Sequence, residues 1–244
     1  NLNFVIRYDD DDKDTEDFIT NYIAELDPDN HKVSIKLVKG PPLGRLGLHT
    51  MYNEMVTPEI LESENFIAIW DDDTIITSDD WDISLYNYYT TLFNGRTNDI
   101  NDIKDPIACF QLRLADYSFV NPILTPNFIK TVGYISKIPS VQKQLKVISY
   151  MSRTNVIVSD IVVRKVFAYH RNYGTKTNEM LQNSLISDVE SKKNIDKAIL
   201  DIRNSKNYSA CGIWTHEPKG WFDKEIVGDM LENLYDFQIY PKDV

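Results

Sequence analysis

Short apolar runs rich in β-branched residues alternate with amphipathic segments along this chain, and that alternation is the feature that most narrows its fold. The runs FVIRY, VSIKLV and FIAIW begin at residues 4, 33 and 66. Between the first two, hydrophobic residues recur at helical spacing over Glu16–Leu26, and Thr15 is predicted to cap that helix. Strands that alternate with helices are typical of α/β proteins. We therefore predict an α/β fold.

Further elements follow the same logic. A second helix is predicted from Leu46 onward, and Pro58 is expected to end it. The run FIAIW is apolar at every position, so it is predicted to be a central strand buried on both faces. Strands are also predicted over Ile107–Leu114 and from Asn155, and the stretch PILT is predicted to be a turn before a helix.

Composition limits the size of the core and the kinds of partner. The chain has 244 residues, 42% of them hydrophobic and 11% aromatic, so it can bury one sizeable core. A formal net charge of −11 argues against a nucleic-acid partner, because such partners need a basic surface. Cys109 and Cys211 form no CxxC pair, which favours a reducing, cytoplasmic location. No apolar run reaches the length of a transmembrane segment.

Two units are predicted along the chain. Residues 1–178 would form the core, and residues 179–244 a mainly helical C-terminal extension packed on it. The hydrophobic positions that recur at helical spacing in this extension include Leu185, Val189, Ile195, Ile199 and Ile202. A predicted strand begins within the first few residues, and no initial methionine precedes it. The sequence is therefore interpreted as part of a longer chain. Other domains of that chain are expected partners, and the core is expected to lack its first strand and helix.

The stretch FVIRYDDDDKDTEDF places a dense group of carboxylates, beginning with Asp9 and Asp10, directly after the first predicted strand. Three interpretations are open: a remnant of an expression tag, a solvated turn between strand and helix, or a site for a metal-bound polyanion or a ribose. The first is disfavoured because the charge continues into an amphipathic helical pattern.

A second acidic group, Asp71-Asp72-Asp73, follows the run FIAIW. Open α/β sheets bind their ligands at the carboxyl ends of strands. Side chains alternate along an extended chain, so Asp71 and Asp73 would share a face and a hard divalent cation such as Mn²⁺ or Mg²⁺. A solvated turn is the alternative. If the first and third strands are parallel neighbours, both acidic groups open onto one edge and form one site for a metal and a ribosylated diphosphate.

Three segments in this order, IRYDDDD, GLHTMYNEM and FIAIWDDDTIITSDDWD, resemble the nucleotide-sugar glycosyltransferases of the GT-A fold, particularly small bacterial and viral members. The resemblance covers residues 4–82 and extends more loosely to Glu179. It implies a Rossmann-like, mixed but mostly parallel sheet flanked by helices. It also implies a nucleoside-diphosphate sugar as donor, Mn²⁺ or Mg²⁺ as cofactor, and a glycan as acceptor.

The resemblance assigns residues to the donor nucleotide. Arg7 and Asp9 stand where such enzymes hold the nucleoside, and Asp10 is a weaker candidate beside them. Tyr52 and Asn53 belong to the helix that flanks the donor. Without the resemblance, Tyr52 would be interpreted as a core residue and Asn53 as an amide on a helix surface.

The resemblance also assigns the cation. Asp71 would face the ribose or the metal, with Asp72 next to it, and Asp73 would coordinate the cation that bridges the diphosphate. His170 is the implied further metal ligand, although an insertion separates it from the preceding strand. His216 is the competing candidate.

A catalytic base is harder to assign from the sequence. An inverting transferase needs a carboxylate within hydrogen-bond reach of the acceptor hydroxyl. Asp160 and Asp116 are the candidates, because a helix begins SVQKQ where the resemblance leads us to expect an acid. The resemblance further implies that Asn121, Pro122 and Thr125 shape the acceptor pocket.

The function predicted from these features is that of a metal-dependent glycosyltransferase, of hexosyl or deoxyhexosyl type, acting on a hydroxyl of a glycan or polysaccharide. Two alternatives stay open. A non-catalytic nucleotide-sugar or carbohydrate-binding module of a larger protein would keep the metal site without a base. A sugar-phosphate nucleotidyltransferase would also use strand-end carboxylates and a metal, but it normally carries a Gly-rich phosphate loop near its amino terminus, and this sequence shows none.

Overall fold

The computed structural model describes residues 2–25, 33–70, 74–94, 106–114, 119–139, 141–165 and 189–208. The helices and strands, in chain order, are β1 (Leu2–Asp9), α1 (Lys13–Glu25), β2 (Val33–Gly40), α2 (Leu48–Met55), α3 (Pro58–Ser63), β3 (Ile67–Ala68), β4 (Thr74–Ile76), α4 (Trp81–Asn94), β5 (Cys109–Leu114), β6 (Phe119–Leu124), α5 (Pro126–Val132), α6 (Val141–Met151), β7 (Asn155–Lys165) and α7 (Val189–Asn204). A 3₁₀ turn, Arg45–Gly47, leads into α2. The predicted α/β class is confirmed.

β1 and β2 form a two-stranded parallel sheet. Their register runs from Leu2 opposite Val33 to Asp9 opposite Gly40. Parallel pairing brings the carboxyl ends of both strands to the same edge. The strands predicted for FVIRY and VSIKLV lie inside these two elements.

The second sheet has five strands in the order β3-β6-β5-β7-β4. Only β5 and β7 are parallel neighbours, and the other three neighbouring pairs are antiparallel. With the β1–β2 pair, two of the five pairings among the described residues are parallel. The expected mixed sheet is therefore found, but the expectation of a mostly parallel one is wrong for this part of the chain. Four residues, 115–118, separate β5 from β6, too few for the crossover that a parallel pair needs.

β3 differs from the central strand that FIAIW predicts. Only Ile67–Ala68 is paired, and it lies at the edge of the five-stranded sheet beside β6. Ile67 and Ile69 are buried whereas Ala68 is exposed, so the strand is not buried on both faces. The described pairings join β1 to β2 and β3 to β6, so they do not include the direct β1–β3 pairing on which the predicted shared edge depends.

The five-stranded sheet carries a hydrophobic cluster on each face. Cys109 and Leu124 belong to the first cluster, which α5, α6 and α7 cover. Phe110 and Ile123, their neighbours along the same strands, belong to the second, together with Leu85 of α4. This alternation follows from the two-residue repeat of a strand. The result is a helix–sheet–helix arrangement around the central strands.

Helix α7 contributes directly to the first cluster. Its Ile195, Ile199 and Ile202 are buried against residues of α5 and α6. Val189, the first residue of the helix, is 69% exposed, and Leu185 lies outside the described residues. The division of the chain at residue 178 stays a prediction. Among the described helices, none combines the length and the apolar composition needed to cross a bilayer.

Three local predictions are corrected by the structure. Helix α1 begins at Lys13, and its cap is Asp12 rather than Thr15, whose amide and hydroxyl both donate to the Asp12 carboxylate. Pro58 begins α3 instead of ending α2, because proline lacks the amide hydrogen that the first helical turn does not need. The stretch NPIL continues β6, where an irregularity in the register accommodates its proline.

Candidate functional site

The carboxyl ends of β1 and β2 form an edge rich in charged groups. Arg7, Asp9, Asp10 and Gly40 lie there, and Glu54 of α2 reaches the same place, so we call these five residues the carboxylate edge. The Asp10 amide donates to the Gly40 carbonyl across 2.8 Å, which continues the parallel ladder one residue beyond the strands. Asp9 is 34% exposed and Asp10 is also exposed, so both carboxylates face solvent.

Arg7 is the buried centre of the carboxylate edge, with a side chain only 3% exposed. Its Nη1 donates to Asp9 Oδ1 at 2.8 Å, its Nε to Glu54 Oε2 at 3.4 Å and its Nη2 to the Pro41 carbonyl at 2.6 Å. All three guanidinium nitrogens therefore have protein partners. The structure places Arg7 behind the two carboxylates, where it fixes their positions, and not at the surface.

Gly40 leaves the space that Arg7 occupies. A Cβ atom at position 40 would lie 2.8 Å from Arg7 Nη2 and 3.2 Å from its Cζ, so the guanidinium would have to move. Sequence reasoning missed both Gly40 and Glu54. Glu54 directly follows Asn53 in GLHTMYNEM, which was a signal for it, whereas Gly40 lies two residues beyond the second predicted strand and carries no such signal.

Part of the acidic run has a local structural role. The carboxylate of Asp12 accepts from the Thr15 amide at 3.0 Å and from its hydroxyl at 2.7 Å, and the Asp12 amide donates to the Asp9 carbonyl. The hydrogen bonds from the Thr15 hydroxyl and amide lower the pKa of Asp12. Asp12 therefore caps α1, while Asp9 and Asp10 stand at the carboxylate edge.

A second network ties α1 to the two-stranded sheet. Glu16 accepts from the Tyr8 hydroxyl and from Lys39 Nζ, both at 2.9 Å. Lys39 also lies 5.7 Å from the centroid of the Tyr8 ring. The hydrogen bond from Lys39, followed by that from Tyr8, lowers the pKa of Glu16, and the same bond raises the pKa of Lys39. The network orients α1 beside the carboxylate edge.

Helix α2 connects the carboxylate edge with the end of β3. Glu54 contacts Arg7, and the hydroxyl of Tyr52 donates to the main-chain carbonyl of Trp70 at 3.3 Å. The Asn53 amide bonds the backbone that precedes α6: its Nδ2 donates to the Ser136 carbonyl at 2.6 Å and its Oδ1 accepts from the Ile135 amide at 2.7 Å. Asn53 therefore anchors α2, and Tyr52 links it to β3.

The predicted cation ligands Asp71, Asp73 and His170 lie outside the described residues. The same is true of the predicted site residues Asp72 and Asp116. Both neighbours of the acidic triplet are described. Trp70 Nε1 donates to the Thr74 carbonyl at 2.8 Å, so the two residues that flank the triplet are joined. Elsewhere in the described part of the chain, no group of three or more His, Cys, Asp or Glu residues is placed to hold a metal ion.

Asp160, the described candidate for the catalytic base, stands on an irregular part of β7. Successive residues of β5 pair with Val158 and Val162, so residues 159–161 are additional to the ladder. Bulges of this kind turn a side chain away from its regular direction. Asp160 is exposed, and its carboxylate accepts a hydrogen bond from the hydroxyl of Tyr88 on α4.

The structure separates Asp160 from the residue that follows the acidic triplet. Thr74, directly after Asp73, pairs with Lys165, whereas the Ser78 hydroxyl donates to the Asp160 carbonyl at 3.1 Å. Extended chain from Thr74 to Ser78 spans roughly 13 Å. A catalytic role for Asp160 stays a prediction.

The predicted acceptor segment is buried. Asn121 has a fully buried side chain and a φ of 51°, and among the described residues neither of its amide atoms has a hydrogen-bond partner. Thr125 is also buried, and its hydroxyl accepts from the Ala108 amide at 3.0 Å while the residue caps α5. Asn121 and Thr125 are therefore parts of the interior in this structure, and a role in acceptor binding stays a prediction for both, as for Pro122.

The helix that begins SVQKQ offers an amide where an acid is expected. Gln144 is fully buried, and its Oε1 accepts from the Ser136 hydroxyl and from the Lys137 amide. The Ser136 hydroxyl also lies within hydrogen-bond distance of the Ile138 carbonyl, at 2.8 Å. This part of α6 therefore fixes the preceding loop.

In comparisons with known proteins, neither a family model nor a characterised protein matches this chain.

Proposed function

We propose that this chain is a metal-dependent glycosyltransferase domain of the GT-A type, which moves a sugar from a nucleoside-diphosphate sugar to a hydroxyl of a glycan. The mixed α/β architecture is compatible with this fold. The resemblance of IRYDDDD, GLHTMYNEM and FIAIWDDDTIITSDDWD to such enzymes supports the assignment.

One observation carries the proposal: α2 contacts both regions that would hold the donor. Its Glu54 bonds Arg7 at the carboxylate edge, and its Tyr52 bonds the carbonyl of Trp70, the residue before the acidic triplet. The two contacts come from residues two positions apart on one helix. A short rigid element between two strand ends would hold a nucleoside site and a metal site at a fixed separation, and open α/β sheets bind their ligands at such ends.

Each part of the proposed site has a chemical task. A divalent cation held by Asp71 and Asp73 would supply Lewis-acid stabilisation of the leaving diphosphate. Asp9 and Glu54 would accept hydrogen bonds from the nucleoside. Trp70, bonded to Thr74, would hold the two ends of the acidic triplet at a fixed separation.

A second candidate function is a binding module that holds a nucleotide sugar without turnover. The buried amide of Gln144 favours this alternative, because it lies in α6 near the place where the resemblance leads us to expect an acid, and an amide cannot act as a base. The two functions share the donor site and differ only in the chemistry on the acceptor.

A turnover assay separates these functions. Purified protein is incubated with UDP- and GDP-linked hexoses and Mn²⁺, and release of UDP or GDP is followed with and without a panel of oligosaccharide acceptors. Nucleotide release that depends on Mn²⁺ and is lost in Asp73→Asn supports the transferase. Binding without release supports the module, and absence of both contradicts the proposed function.

A further inference from the structure

We infer that Asn121 is a specificity-determining residue for the donor: its side-chain amide binds two neighbouring hydroxyls of the transferred hexose. This inference rests on the proposed function and deepens it, because it names the part of the donor that the residue recognises. It assigns Asn121 to the donor sugar, whereas the resemblance implies a role in the acceptor pocket. The two roles differ in a binding experiment that contains no acceptor.

The Asn121 amide is buried without a partner. Its side chain is fully buried, and among the described residues neither Oδ1 nor Nδ2 has a hydrogen-bond partner. Buried amides are ordinarily paired, because burial without a compensating hydrogen bond costs stability. Thr125, buried four residues later, follows that rule, since its hydroxyl accepts from the Ala108 amide. Asn121 therefore has a donor group and an acceptor group that the described fold does not use.

The backbone of Asn121 is also in an unfavourable conformation. Its φ of 51° is in the left-handed region, which disfavours a residue with a Cβ atom, and the residue before a proline normally keeps a negative φ. The residue lies in a β-bulge, because Gln111 of β5 stands opposite both Asn121 and Pro122. Strained residues are concentrated at ligand-binding and active sites. The strain and the unused amide are thus two independent observations on one residue.

The sheet places Asn121 beside the end of β3. This strand is antiparallel to β6, and the Ile69 amide donates to the Pro122 carbonyl at 2.9 Å. The next step of the same register sets Asn121 opposite Trp70, the residue directly before the acidic triplet. In the proposed site that triplet holds the metal-bound diphosphate, to which the hexose is attached. Asn121 therefore lies on the strand adjacent to the one that leads to the hexose.

The chemistry of an amide fits a sugar. Its Oδ1 accepts and its Nδ2 donates, so together they can bond two neighbouring hydroxyls, each of which both donates and accepts. The amide carries no charge, so it offers a diphosphate no ion pair. A nucleobase presents a similar donor and acceptor, but the proposed nucleoside contacts are at the carboxylate edge, on the other sheet. A hexose that lacks a bonded hydroxyl would leave the amide unpaired, so Asn121 would select among hexoses.

The experiment compares a nucleotide sugar with its free nucleotide. The tightest-binding of UDP-glucose, UDP-galactose and GDP-mannose, and the corresponding diphosphate, are titrated calorimetrically in Mn²⁺ without acceptor. Asn121→Gly is expected to fold, because glycine adopts this φ freely and no side-chain hydrogen bond among the described residues is lost. It should weaken binding of the nucleotide sugar about tenfold and leave binding of the free nucleotide unchanged.

The control variant is Arg153→Gly, which also replaces a residue of positive φ, 59°, at an exposed position in the turn after α6. It relieves the same kind of backbone strain without removing the proposed contact. Both affinities should therefore stay at their wild-type values. This control separates the loss of the amide from a general effect of glycine on the backbone.

Deoxy analogues of the same hexose identify the hydroxyls. In the wild type, an analogue that lacks a bonded hydroxyl should bind about tenfold more weakly than the parent nucleotide sugar. In Asn121→Gly the same analogue should bind as tightly as the parent, because the two changes remove one interaction. A purely structural role of Asn121 would not produce this dependence. If Asn121→Gly does not fold, the analogue series on the wild type decides alone.

The outcomes are distinct. A selective loss of nucleotide-sugar affinity in Asn121→Gly, with a deoxy analogue that is discriminated only by the wild type, supports the inference. An unchanged ratio of the two affinities in folded Asn121→Gly overturns it, as does a wild type that binds every deoxy analogue as tightly as the parent. Mn²⁺-dependent binding of the free nucleotide would then still leave the proposed function intact. If the wild type binds neither UDP nor GDP in Mn²⁺, the proposed function fails and the inference fails with it.

Discussion

The hydroxyl of Tyr52 donates to the main-chain carbonyl of Trp70, 3.3 Å away and 18 positions later in the chain. Trp70 in turn uses its indole nitrogen to hold the Thr74 carbonyl. A helix that contacts the end of β1 is thus connected to both residues that flank the acidic triplet. The described sheets are separate, and this side-chain contact joins α2 to the end of β3 although β1 and β3 are not paired.

Removal of the Tyr52 hydroxyl is predicted to weaken nucleotide binding more than folding. Tyr52→Phe loses the hydrogen bond to the Trp70 carbonyl, a bond worth about 1 kcal/mol of unfolding free energy. If α2 aligns the two acidic regions, the affinity for nucleoside diphosphate in Mn²⁺ should fall severalfold. Urea denaturation and calorimetry on the same preparation measure the two effects. Unchanged affinity in a folded variant would show that the link does not matter for binding.

Asn121 is predicted to be strained in its strand. Its φ of 51° is unfavourable for a residue with a Cβ atom, and glycine adopts it freely. Asn121→Gly is therefore expected to be more stable than Asn121→Ala by about 1 kcal/mol. The two variants lose nearly the same side chain, so the comparison isolates the backbone. Thermal unfolding measures the stabilities of the two variants. An alanine variant as stable as the glycine variant would contradict the left-handed conformation of residue 121.

Acidification is predicted to weaken the attachment of α1. The pKa of Glu16 is lowered in the folded state, so its contribution to stability is present above the ordinary glutamate pKa of about 4.3 and is lost as the pH falls through the lowered value. Melting temperatures from pH 7 to pH 3 should decline less steeply in Glu16→Gln than in the wild type. Asp17→Asn, at an exposed neighbouring acid, should keep the wild-type slope. Identical slopes for Glu16→Gln and the wild type would contradict this prediction.

Helix α7 is predicted to be essential to the main core. Ile195 is fully buried in the first cluster, so Ile195→Ala should lower the unfolding free energy by about 3 kcal/mol. Leu200, on the same helix, is 57% exposed, and Leu200→Ala should change it by less than about 0.5 kcal/mol. Chemical denaturation measures both. Similar small effects of the two substitutions would mean that α7 is not part of this core.

The α/β class and most strand positions could be predicted from the sequence, because period-two and period-3.6 patterns are local. β7, for example, begins at the predicted Asn155. Strand pairing is not local. A run such as FIAIW shows that a strand is apolar but does not show which strands lie beside it, and the structure places β3 at a sheet edge. The expectation of a mostly parallel sheet came from resemblance and not from a pattern in the residues.

The candidate site also combines features that local sequence patterns predict with features that depend on non-local packing. The place of the acidic run after a strand marks Asp9 as a candidate, whereas the resemblance alone assigns Arg7 to the nucleoside. That Arg7 is buried and bonded to Glu54, 47 positions away, depends on the packing of α2 against β1, which no spacing in the sequence encodes. Gly40 could not be recognised either, because its importance comes from a side chain on another strand.

The most direct test of the central claim is a calorimetric titration of UDP and GDP into the wild type, Asp73→Asn and Asp79→Asn, each with and without Mn²⁺. Asp79 is an exposed acid shortly after β4 and serves as the matched control. We predict binding of one nucleotide that requires Mn²⁺, is abolished in Asp73→Asn and persists in Asp79→Asn. Absence of binding by the wild type in Mn²⁺, or binding that Asp73→Asn leaves unchanged, would contradict a metal-dependent nucleotide-sugar site in this chain.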